Sequence, residues 1–153
     1  MKFLFSLLLL ASLSTAASAQ TALDEQIQLV RQSAHTDRKI ILMGNMSFTS
    51  DESANFWPAW NEYRAAVAAN GDRTLALIKD FAANYENMSD QKASELMSDY
   101  FSIEMQNIVI KQKFSQEISK FMPALKAMRV IQIENKLDAA IDMKLASEIP
   151  LAK

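Results

Sequence analysis

Apolar residues recur every three to four positions along most of this chain, and polar residues fill the gaps. That period is the mark of amphipathic helices. Four such segments can be read. The first runs from about Ala22 to Met43, with Leu23, Ile27, Val30, Ala34 and Ile41 in phase, and Gly44-Asn45 is expected to stop it. The second opens near Thr49, where Thr49 and Glu52 form a capping-box pattern and Asp51 and Glu52 suit the positive end of the helix dipole. Its apolar face is Phe56, Trp60, Tyr63, Val67, Ile78, Phe81 and Tyr85, with Trp57 and Leu75 at the edge. Pro58 is expected to kink this helix or to mark its true start. Asn70-Gly71-Asp72 could turn, but Gly71 falls in phase with the apolar face. One long helix is therefore expected, with Gly71 letting a neighbour approach closely.

Ser89 is a good N-cap for a third helix running to about Phe121, before Pro123. Its main stripe is Ala93, Leu96, Tyr100, Ile103, Ile110, Phe114, Ile118 and Phe121. The fourth helix spans about Ala124 to Ser147, with Val130, Ile133, Leu137, Ile141 and Leu145 on one side, and Pro150 ends it. The architecture expected from these four segments is all-α, in one helical domain. Two glycines and three prolines leave little room for the tight turns of an all-β fold.

The third helix is apolar on two sides. Phe101, Met105, Ile108 and Val109 lie a quarter-turn or more from its main stripe and form a second strip. Such a helix packs on two sides or exposes one. The strip reads either as core or dimer seam, or as a binding surface for unfolded or partner chains. Methionine suits the latter because its side chain adapts to varied shapes. Glu104, Lys111 and Lys113 beside it would keep the strip soluble and steer clients.

The first residues change the setting. Met1-Lys2, the apolar run Phe3 to Leu13 and the small-x-small site Ala17-Ser18-Ala19 have the layout of a secretory signal peptide. Cleavage is expected after Ala19, leaving one helical domain over residues 20–153. Loss of Lys2 takes the formal charge from -2 to -3, a poor balance for nucleic acid binding. With no cysteine in the chain, neither a disulfide nor a cysteine-linked lipid anchor is expected. Exported, the protein would be periplasmic, with no membrane anchor.

No catalytic centre is expected. The chain has a single histidine, His35, no cysteine and no glycine-rich phosphate loop. His35 reads as a polar-face residue of the first helix. A zinc site of histidine and cysteine is excluded by count. A haem held by one histidine and one methionine is chemically allowed. Thioethers can also bind Cu(I), but only Met43 and Met46 of the mature methionines are close in sequence, and no metal ligand is assigned.

Several blocks resemble the Spy/CpxP-like, or LTxxQ, periplasmic family, and more closely a branch of small exported bacterial proteins. They are Phe56-Trp57-Pro58 with Tyr63, the stretch from Gly71-Asp72-Arg73 to Ala83-Asn84-Tyr85, and the tail from Gln132 through Asp138 and Leu145-Ala146 to Ile149-Pro150-Leu151. The LTxxQ pattern itself maps onto Phe48-Thr49-Ser50-Asp51-Glu52 and Met88-Ser89-Asp90-Gln91-Lys92. Phe48 and Met88 stand where the pattern has Leu, and Glu52 and Lys92 where it has Gln. Lys92 cannot complete a reciprocal cap. The resemblance implies long bent helices, an antiparallel cradle-shaped dimer and ATP-independent holding of unfolded envelope proteins. It also allows a stress- or metal-responsive regulator of a sensor kinase; a haem-binding bundle is a further alternative from the residues alone.

Overall fold

The computed structural model describes residues 35–152. The expected leader, its cleavage after Ala19 and the start of the first helix lie outside the described residues. So does the side chain of Leu145. The chain divides into two units, residues 1–41 and 42–153. Among the described residues every regular element is helical, with no strand.

In the first unit the described residues belong to a helix, α1, covering 35–45 and reaching into the second unit. His35 is half-buried and Ile41 is exposed there. The helix does not stop before Gly44-Asn45 as expected; it includes both. A glycine stop needs left-handed backbone, and no described glycine has it.

The second unit continues with α2 (Ser50–Asn84), a 3₁₀ turn (Tyr85–Asn87), α3 (Asp90–Ile118) and α4 (Ala124–Glu148). The expected capping box starts α2. Thr49 Oγ1 accepts from Glu52 N–H at 3.2 Å, and Glu52 Oε2 accepts from Thr49 N–H at 2.8 Å. Phe48, just before the cap, stacks on Phe56 with ring centroids 4.5 Å apart. Pro58 lies inside α2 and does not mark its start.

The helix also runs straight through Gly71, as the phase argument predicts. The reason given for that glycine is wrong, however. Nothing lies within 4 Å of where a Cβ would sit, so no neighbour approaches there. Asn70 is the residue buried at this turn. Gly71→Ala should therefore add roughly 0.5–1 kcal/mol through helix propensity alone. A urea midpoint unchanged or lowered would refute it.

Ser89 caps α3 by accepting from Lys92 N–H at 3.1 Å. Lys92 does not complete a capping box. Its ammonium reaches Asp80 of α2 at 2.7 Å instead, and the hydrogen bond to that carboxylate raises the lysine's pKa above its usual value. α3 ends at Ile118, three residues short of Phe121, in a turn where Met122 N–H bonds Ile118 O at 3.1 Å. The Pro123 carbonyl then accepts from Ala127 N–H at 3.0 Å and starts α4.

The core is built where α2, α3 and α4 meet beside Leu42 and Met46. Phe56, Trp60 and Tyr63 come from α2, Ile110, Phe114 and Ile118 from α3, and Ala127 and Val130 from α4. Tyr63 and Phe114 stack 9° from parallel with centroids 4.3 Å apart. Beyond Asn70 no α2 residue is fully buried; Ile78, Phe81 and Tyr85 are half-buried. Among the described residues, α3 flanks α2 along that stretch, through pairs such as Arg73–Ser102 and Asp80–Lys92. Three positions of the predicted apolar faces are exposed: Ile41 in α1, Tyr100 on α3 and Ile141 on α4.

Candidate functional site

Helical geometry explains where the second strip of α3 goes. At about 100° per residue, the mean direction of Phe101, Met105, Ile108 and Val109 lies about 175° from that of Ile103, Ile110 and Phe114. The buried set faces α2, for Asn70 Nδ2 donates to Ile103 O at 3.0 Å and Phe114 packs on Tyr63. The strip must then face outward. Phe101 is 61% exposed, Met105 62%, Ile108 66% and Val109 54%.

Sequence reasoning missed part of this surface. Met97 and Tyr100 are also exposed, and the Tyr100 and Phe101 rings meet edge to face at 5.4 Å. Met97, Phe101, Met105 and Val109 follow one another at four-residue steps, so they form a single ridge along the helix. The signal was available in that spacing. It was hidden because Tyr100 also continues the inner stripe.

Two of the flanking charges also join helices. Glu104 is exposed. Lys111 donates to Asn135 and pairs with Asp138, both at 2.9 Å, which ties α3 to α4. Lys113 pairs with Glu62 of α2 at 2.8 Å. The Lys113 hydrogen bond holds the Glu62 carboxyl below its usual pKa, and Glu62 in turn raises that of Lys113. These two lysines hold neighbouring helices as well as edging the strip. Being exposed, the Lys113–Glu62 pair is weakened by salt.

Two polar clusters tie the helices around the strip, one joining α2 to α3 and the other α2 to α4. Asn70 donates to Ile103 O and, at 2.8 Å, to Asn107 Oδ1; its own Oδ1 accepts from Arg73 at 3.1 Å, and Arg73 donates to Ser102 at 2.9 Å. A satisfied buried amide between two helices favours one register over its slipped alternatives. On the other side, Trp60 Nε1 donates to Glu134 Oε1 at 2.8 Å and Arg64 lies 3.4 Å from Glu134 Oε2. Sequence reading named Trp60 as core but gave Glu134 and Asn70 no role.

The capping box is tied to α4 as well. Lys126 Nζ reaches Glu52 Oε2 at 2.6 Å and donates to Ser47 O at 2.8 Å. The Lys126 hydrogen bond, followed by that from Thr49 N–H, lowers the Glu52 pKa. A lowered folded-state pKa means that the proton is bound more weakly in the native state. The stabilisation is complete above the ordinary glutamate value of 4.5 and is lost as pH falls below it. Glu52→Gln keeps a cap acceptor but removes the charge. Its melting temperature should fall less steeply than the wild type's on acidification below that value; parallel curves would show that the ion pair adds nothing.

Little in the described residues resembles a small-molecule site. An open cleft of about 240 Å³ is lined by Arg73, Ala76, Leu77, Asp80, Asp99 and Ile103. That is below the roughly 300–1,000 Å³ usual for ligand pockets. Among the described residues no group of three or more His, Asp or Glu side chains could hold a metal ion. Met43 is exposed while Met46 is in the core, so the two thioethers closest in sequence do not share one surface. Among the described residues, no helix is long and apolar enough to cross a membrane.

The described residues form an all-helical fold with an exposed apolar ridge on α3, a helix bonded to both α2 and α4. No family model, curated protein or solved structure matches the chain.

Proposed function

We propose that this protein is a periplasmic, ATP-independent chaperone-like binder of unfolded or partner envelope proteins. The observation that carries the reading is the exposure of Phe101, Met105, Ile108 and Val109 on one side of α3, opposite its packed face. Contiguous apolar surface of this kind is uncommon on soluble chains that bind nothing. Two aromatic rings and two thioethers supply large, adaptable contact area suited to clients of varied sequence.

In this reading α2 and α3 form the arms of a long antiparallel hairpin. The contacts Phe56–Phe114, Glu62–Lys113, Arg73–Ser102 and Asp80–Lys92, in which numbers fall on one helix as they rise on the other, support it. Two protomers form a cradle-like dimer that places two ridges within reach of one client. The leader at residues 1–19 delivers the chain to the periplasm.

The test is suppression of aggregation of a chemically denatured client on dilution, without ATP, together with the mass of the protein in solution. Suppression at a few-fold molar excess is expected. Unchanged client turbidity at several-fold excess would remove the proposal, and a monomer that still suppresses it would remove only the dimer.

A further inference from the structure

The ridge contains two groups whose chemistry can change. Met97 and Met105 are both more than half exposed, and each lies four residues from Phe101 on the same ridge. Met46 and Met122 belong to the packed core and are almost fully covered. A soluble oxidant therefore meets the ridge thioethers long before those that hold the fold.

We propose that Met97 and Met105 are oxidation sites that switch the apolar ridge off, with hypochlorous acid or a related hypohalous acid as the oxidant. This rests on the ridge being the binding surface proposed above. In the reaction the thioether sulfur loses two electrons and gains an S=O bond. The chlorine of the acid takes those electrons and leaves as chloride, and one proton is released. The product is a polar sulfoxide, an acceptor that keeps its water, where an apolar side chain stood. Two sulfoxides flanking Phe101 divide the ridge into short apolar islands. The core is untouched because Met46 and Met122 are shielded, so binding is lost before the fold. Met43, Met128 and Met143 are exposed too and will oxidise, but they lie off α3.

The experiment treats the full chain with graded hypochlorous acid and quenches it with free methionine. Sulfoxides are located by peptide mass spectrometry, and the fluorescence of anilinonaphthalenesulfonate is read alongside circular dichroism and client aggregation. Each protein is compared with its own untreated sample. Doses that oxidise Met97 and Met105 but spare Met46 and Met122 should lower dye emission by about threefold or more while helicity is kept. Met97→Leu/Met105→Leu should hold its own emission at the same dose. The inference is overturned if wild-type emission persists with both sites oxidised, if the double variant loses as much, or if untreated protein binds no dye. If untreated protein binds dye and responds to oxidant but holds no client, the switch stands and the chaperone reading fails.

Discussion

Glu134→Ala should destabilise the protein by about 3 kcal/mol or more, because it removes one partner from a buried charge cluster. Glu134 is 1% exposed and accepts from the Trp60 indole N–H at 2.8 Å. Its other oxygen lies 3.4 Å from Arg64, whose side chain is 15% exposed. The alanine variant takes that acceptor from the indole, leaves the guanidinium largely out of water without this carboxylate, and opens a cavity between α2 and α4. A domain of this kind has only about 5–15 kcal/mol of stability in total, so the loss is large. Replacing both ends, as in Glu134→Leu with Arg64→Met, should recover part of it, since the Arg64 guanidinium is then not left beside an emptied site. Urea unfolding with an unchanged slope is the measurement. A loss under about 1 kcal/mol for Glu134→Ala would show that the cluster does not hold the helices together.

Phe101→Ser/Ile108→Ser should do the opposite: abolish client holding and leave stability within about 0.5 kcal/mol per site. Both side chains already face solvent, so shortening them removes little native packing. Their loss takes the largest contributions from the middle of the ridge, and contact energy scales with apolar area removed from water. Ile103→Ser is the matched control. Ile103 lies between them in sequence but is 3% exposed, and the substitution should cost several kcal/mol by leaving a cavity and a buried hydroxyl. A double serine variant that is folded and still holds client would remove the ridge from the function. One that unfolds would mean the ridge is packed against another chain.

Local signals were legible residue by residue. Thr49 with Glu52, and Ser89 before α3, are caps whose partners lie within one turn, so the sequence contains both halves of each interaction. The continuity of α2 through Gly71 followed from phase alone. The outward strip was visible as a second apolar set on α3, although whether it faced solvent was not. Other readings failed where a distant residue decides. Asn70 is buried because Ile103 O and Asn107 wait 33 and 37 positions away, and Glu134 because Trp60 lies 74 positions away. Tyr100 continues the inner stripe in sequence, yet among the described residues no third helix covers α3 at that height, and it is exposed.

The sequence by itself determined where helices begin and which residues share a face, because backbone hydrogen bonds and side-chain period act over one or two turns. Tertiary structure decided which faces are covered, which polar groups have buried partners, and which methionines meet solvent. Those properties depend on the number and position of neighbouring helices, which local periodicity does not encode.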